Sequence, residues 1–223
     1  MKKIVLIITL TLLVGSLLFA SEQANNLYVG AKLGATVNSV IAGENYRRYK
    51  YHDLTGTKVA VPVIYQATNY FGLESGIALT TKNYNLVRTV KEDMVNLKIE
   101  NGFITVPLSL NFSLPLDDVF SMFLNVGGYV GWWCYGKSEG KVIDIVRKQQ
   151  DVSEASDLSL KNRLEYGLMA SLGVSYNIEN VRLILSAEFE KDLSDMNKKQ
   201  EVGAYQIYNS TIAFSTSLLW RVK

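Results

Sequence analysis

The sequence of 223 residues carries one Cys, one His, three Pro and thirteen Tyr, with 23 basic residues against 21 acidic ones. Without Lys2 and Lys3 the balance is 21 to 21, and such a neutral chain is not built as a dedicated nucleic-acid binder. Cys134 has no second Cys to form an intrachain disulfide, and one His with one Cys makes no ligand set for a metal, so no cofactor is expected.

The first element is a leader. Lys2 and Lys3 precede an unbroken apolar stretch over 4–19, and Ala20 stands before the polar Ser21-Glu22-Gln23. This order predicts a cleaved secretory signal peptide over 1–20, leaving 21–223 as a single domain.

A period of two then organises the chain. Leu27, Val29, Ala31, Leu33, Ala35 and Val37 alternate with Tyr28, Gly30, Lys32, Gly34, Thr36 and Asn38, which fits a strand with two unlike faces and no helix. Val59, Val61, Val63 and Tyr65 make a second such face. Phe71, Leu73, Ile77 and Leu79 make a third, opposed by Gly72, Glu74, Gly76, Ala78, Thr80 and Lys82. Ile104, Val106, Leu108, Leu110 and Phe112 make the fourth.

The stretch over 119–136 has no charged residue, about the length a membrane-crossing helix needs. Gly127, Gly128 and Gly131 argue against that helix, since each costs about 1 kcal/mol relative to Ala. As a fifth strand the stretch sorts cleanly, with Met122, Leu124, Val126, Val130 and Trp132 against Phe123, Asn125, Gly127, Tyr129, Gly131 and Trp133. A sixth strand presents Leu164, Tyr166, Leu168, Ala170, Leu172, Val174 and Tyr176; a seventh presents Val181, Leu183, Leu185, Ala187 and Phe189. The eighth presents Ile212, Phe214, Leu218, Trp220 and Val222.

Short turns near 67–70, 113–119 and 177–180 alternate with long connections over 39–58, 83–102, 134–162 and 191–205. That asymmetry predicts an all-β, eight-stranded, antiparallel up-and-down barrel of the outer-membrane kind. Its apolar faces are expected to meet lipid. The opposite faces, of small residues and charges of both signs, are expected to fill the interior. The interior network is predicted from Lys32, Glu74, Lys82, Arg163, Glu165, Arg182, Glu188 and Glu190, with Arg221 also on an inward register. Tyr28, Trp132, Tyr166, Tyr176 and Trp220 lie towards strand ends, where interface aromatics belong.

These strands resemble the PorT-like outer-membrane β-barrel family of Bacteroidetes-type and some spirochaetal bacteria. The likeness lies in the Gly-containing first strand over 27–34, Glu74 of the third strand, and Val106-Pro107-Leu108-Ser109-Leu110-Asn111-Phe112 of the fourth. It extends to Gly127-Gly128-Tyr129-Val130-Gly131-Trp132-Trp133, with Gly128 where the family has Pro, and to "YGLMASLGVSY" and "LSAEFEKDL". The resemblance implies a fold, an outer-membrane lipid environment and insertion by the barrel-assembly machinery. One departure is that Trp220 is followed by Arg221, Val222 and Lys223 rather than ending on an aromatic residue.

The chemical inventory is thin. His52 stands beside Asp53 in the first long connection, and Glu188 and Glu190 share one face of a strand, where interior ion pairing is the expected role. Tyr46, Arg47, Arg48, Tyr49, Lys50 and Tyr51 form a basic aromatic patch suited to anionic headgroups or an acidic extracellular ligand. The apolar residues Val142, Ile143, Ile145 and Val146 suggest either a hairpin above the membrane or a short helix. The expectation is a monomeric, non-enzymatic outer-membrane protein acting structurally or through its loops. The alternatives are a narrow transporter of small apolar solutes, which needs an apolar interior funnel, and a lipid-modifying enzyme using His52.

Overall fold

The computed structural model describes residues 23–42, 49–90, 93–144, 148–153, 163–195 and 207–222; the expected signal peptide over 1–20 lies outside them. Ten strands follow in chain order: β1 (Gln23–Ala42), β2 (Tyr49–Thr68), β3 (Phe71–Thr81), β4 (Tyr84–Val90), β5 (Asp93–Pro115), β6 (Phe120–Asp144), β7 (Lys148–Ser153), β8 (Leu164–Ile178), β9 (Val181–Asp192) and β10 (Ile207–Arg221). The antiparallel ladder closes on itself. Between Tyr28↔Arg221 and Ala42↔Ile207 the first strand pairs with the last, and the ring runs β1-β2-β3-β5-β6-β8-β9-β10. β4 continues β3 past Lys82-Asn83, pairing with the same two neighbours, and β7 pairs with the far end of β6. The barrel wall is therefore eight strands round.

Side-chain exposure settles which solvent each face expects. Leu33, Leu108, Leu172 and Phe214 are 58%, 63%, 62% and 63% exposed, whereas Lys82, Glu188 and Glu74 are 0%, 2% and 5% exposed. A water-soluble barrel would show the reverse, since burying unpaired charge and wetting large apolar faces are both unfavourable. On β8 the exposed apolar face from Tyr166 to Tyr176 spans roughly 25 Å at the usual rise and tilt, the height of an outer-membrane apolar band. Trp132, Tyr166, Tyr176 and Trp220 are exposed at its margins. Tyr28 is not among them: it is buried inside, because it shares the inward register of Lys32 rather than that of Leu27 and Val29.

The ladder shifts register between Gln23 and Asn26 and between Gly102 and Phe103, and it is also interrupted around Gly76. Gly76 has φ +150° and lies opposite Pro62, where a Cβ would come within 3.0 Å of the proline Cα. On the other side the β3–β5 ladder skips from Ser75↔Leu108 to Ala78↔Thr105, because Pro107 has no N–H to donate. The Ser75 hydroxyl donates to the Pro107 carbonyl at 2.8 Å instead.

Three of the four connections expected as long loops are largely strand among the described residues. β2 starts at Tyr49, β5 at Asp93, and β6 runs to Asp144. Beyond the apolar band the outer face meets water instead of lipid and carries Lys98, Lys137 and Glu139, so the apolar–polar alternation disappears. The backbone ladder continues there, and the inner face still buries Tyr84, Ile99 and Ser138. The third connection takes the hairpin form, with Glu139↔Ser153 to Asp144↔Lys148 joining β6 to β7; its residues 145–147 and 154–162 lie outside the described set. At the opposite end the turns are tight. In one of them Asp117 Oδ1 accepts the backbone N–H groups of Val119 and Phe120, at 2.8 and 2.6 Å, which holds its carboxyl below the usual aspartate range.

Candidate functional site

The interior is layered along the barrel axis. At the short-turn end Tyr28, Ile64, Ile184 and Leu219 pack together with Phe123 against them, an apolar stopper inside the wall. Above it lies a single connected set of charges. Lys32 Nζ is 3.1 Å from both Glu74 and Glu188, and Lys58 Nζ is 2.7 Å from both Glu188 and Glu190. Lys82 Nζ is 2.6 Å from Glu165, 3.0 Å from Asp192 and 3.7 Å from Glu190. Neutral groups occupy many remaining lone pairs. Asn125 Nδ2 donates to Glu74 at 2.6 Å and to Ser171 at 3.0 Å, the Ser215 hydroxyl donates to Glu188 at 2.7 Å, and the Tyr129 hydroxyl donates to Asp192. Towards the long-connection end, Asn38 bridges Asn209 and Thr211 at 3.1 and 2.8 Å.

Around Lys32 and Glu74 the described side chains leave little space. Two cavities of about 20 and 10 Å³ border Lys32 and Glu74, each about the room for one water molecule. Glycine in the wall reflects this crowding: a Cβ on Gly131 would approach Thr105 Cγ2 to 2.8 Å. The arrangement can fix the barrel's shape and exclude solutes. It offers no exposed nucleophile–base pair and no open conduit among the described residues.

Of the residues proposed for the interior network, Lys32, Glu74, Lys82, Glu165, Glu188 and Glu190 come together in it. Two do not. Arg163 is exposed just before β8, where its carbonyl accepts the Trp133 N–H at 2.8 Å and its guanidinium lies 5.4 Å from the Trp133 ring, one step further along the inward register than Glu165 and beyond the ion network. Arg182 sits at the short-turn end, 4.0 Å over the Tyr28 ring and hydrogen-bonded to Asn177 at 2.6 Å, with the apolar layer between it and the other charges. Lys58 and Asp192 are the members that sequence reasoning missed. Both extend an inward register by one step, Lys58 from Ala60 and Asp192 from Glu190, and that continuation was the available signal.

Of the basic aromatic patch, Tyr46, Arg47 and Arg48 lie outside the described residues. Tyr49, Lys50 and Tyr51 belong to β2 and pair with Arg88, Val87 and Leu86 of β4; Lys50 is exposed, and the Tyr51 ring lies 5.8 Å from Tyr84. His52 is exposed opposite Asn85. In the same sheet extension Lys98↔Glu139 and Glu100↔Lys137 set opposite charges across the β5–β6 ladder, placing this region in water.

A family profile described as "Outer membrane protein beta-barrel domain" matches residues 19–197. Among solved structures, the outer membrane protein OprG from Pseudomonas aeruginosa is 13% identical with a TM-score of 0.57, covering 90% of this chain and 97% of that one. Neisserial surface protein A is 12% identical (TM-score 0.44; 86% and 96% covered). Ail, the attachment invasion locus protein of Yersinia pestis, solved with the heparin analogue sucrose octasulfate, is 14% identical (TM-score 0.42; 87% and 99% covered). No curated protein matches the sequence.

Proposed function

The chain belongs to the outer-membrane β-barrel domain family, and from that premise we propose a closed, non-enzymatic, monomeric barrel that acts structurally or as a surface for extracellular contacts. Its place is the bacterial outer membrane. The short turns face the periplasm and the extended β2-β4-β5-β6-β7 sheet faces outward, following the general asymmetry of such barrels. Residues 1–20 serve as the export signal, and the barrel-assembly machinery inserts the chain. The finer PorT-like relationship rests on the strand motifs of β1, β5 and β6.

The observation that carries this reading is the filled interior. Three buried lysines and five buried carboxylates stand above an apolar stopper, and the two cavities that border Lys32 and Glu74 measure about 10 and 20 Å³. A conduit for small apolar solutes needs a continuous apolar funnel, and the charge layer interrupts one. An enzyme using His52 needs a nucleophile or carboxylate held against the imidazole; its cross-strand neighbour is Asn85. The expected result in planar bilayers is no steady single-channel conductance from the purified, folded protein. A stable conductance step that disappears on heat denaturation would overturn the closed-barrel reading.

A further inference from the structure

A cavity of about 510 Å³ opens at the short-turn mouth, on the far side of the apolar stopper from the ion network. This volume lies in the usual range of small-ligand sites, roughly 300–1,000 Å³. Three of its polar groups are set up without a complementary charge or donor. Arg182 is held over Tyr28 and by Asn177, and no carboxylate among the described residues pairs with it. Arg221 is held by Asn180 at 3.1 Å through its Nε and likewise faces no carboxylate within ion-pair distance among the described residues. Gln66 is 5% exposed; its Nε2 donates to the Asn69 carbonyl at 3.3 Å, which fixes the amide orientation, and its Oε1 accepts no hydrogen bond from the described residues.

From this arrangement we infer that the mouth binds a short peptide through its free C-terminal carboxylate. A guanidinium stacked on a ring and anchored by an amide is a preorganised fork for a carboxylate. The buried Gln66 oxygen asks for a donor beside that carboxylate, and the last peptide N–H of a chain supplies one. A fully ionised anion such as sulfate would answer the arginines and leave Gln66 unpaired. Asp117, Asp118 and Glu179 also line the cavity and are exposed, with Asp117 tied to the Val119 and Phe120 N–H groups; these acids favour the amine end of a peptide and disfavour a multiply charged anion. Two periplasmic sources share this chemistry: the C-terminus of a protein or its fragments, and cell-wall stem peptides ending in D-alanine. The inference rests on the barrel reading only for its periplasmic placement, because binding in detergent does not depend on orientation.

Titration calorimetry on the folded, detergent-purified barrel tests it, with trialanine, trialanine amide and L-Ala-D-Ala-D-Ala as probes. Trialanine or its D-ended counterpart is expected to bind at least tenfold more tightly than the amide, and Arg182→Gln is expected to remove that preference. Preference for the L or the D ending identifies the source. Absence of binding by both acids, or equal binding of acid and amide, overturns the proposal and leaves the closed-barrel reading untouched. Heat-modifiable gel mobility confirms folding of each variant; should Arg182→Gln fail to fold, the acid–amide comparison on the unaltered chain and on Gln66→Leu decides.

Discussion

Replacing Lys82 with methionine is expected to destabilise the folded barrel by about 3–5 kcal/mol, the usual consequence of removing one partner from a buried ion cluster. Lys82 is wholly buried and is the member of the network that faces Glu165 and Asp192, at 2.6 and 3.0 Å. Without it these two carboxylates and Glu190 lose their shared cation in a region sealed from water by the wall. The side chain also lies 5.1 Å from the Tyr129 ring centroid and 5.4 Å from that of Phe103, so a methionine keeps much of the packing and isolates the charge. Urea unfolding of the protein in lipid vesicles measures the loss. Adding Glu165→Gln and Asp192→Asn to Lys82→Met is expected to recover most of it, since removing a whole ion cluster is far less harmful than breaking it. A Lys82→Met barrel as stable as the parent would show that the network contributes nothing.

The second large effect reverses ordinary intuition about exposed residues. Leu172 is 62% exposed, flanked across the ladder by Leu124 of β6 and Ala187 of β9, and lies midway between the interface residues Tyr166 and Tyr176. On a water-soluble protein, exchanging so exposed a leucine for arginine would alter stability by no more than about 0.5 kcal/mol. On a lipid-facing strand at the bilayer midplane the same Leu172→Arg change is expected to destabilise by about 2–4 kcal/mol. The penalty should shrink to about 0–1 kcal/mol for Tyr176→Arg near the interface. Equal, negligible effects at both depths in lipid-vesicle unfolding would be incompatible with a lipid-facing β8.

The lipid-spanning part of this fold was legible because one face of each strand must be apolar and the other must not. Leu27 to Val37, Phe71 to Leu79 and Leu164 to Tyr176 therefore announce both their strand character and their orientation. Legibility fails where that contrast fails. Above the band the outward positions Lys98, Lys137 and Glu139 are polar and the inward ones mix Ile99 with Asn101 and Ser138, so the distal parts of β5 and β6 leave no apolar–polar period although their backbones pair. Below it both faces are apolar: Leu219 stands between Leu218 and Trp220, and Ile64 between Val63 and Tyr65, which conceals the inner stopper.

The charged site shows the same limit. Glu74, Glu188 and Glu190 stood out as carboxylates on strands with an apolar reverse face. Lys58 and Asp192 lay one register step past the point where that reverse face was recognised, and so were assigned to connections. Arg163 and Arg182 carried the right charge on nearly the right register. Their axial height, which strand spacing alone does not supply, separates them from the lysine–carboxylate set.

The claim on which all of this rests is tested most directly by where lipid and water reach the wall. With Cys134→Ser as background, nitroxide labels on cysteines placed at Leu33, Val126 and Leu172 are measured in proteoliposomes against dissolved oxygen and a water-soluble nickel chelate. The account predicts frequent collisions with oxygen and few with the chelate at all three positions. Frequent collisions with the chelate, or labels immobilised and shielded from both reagents, would contradict it.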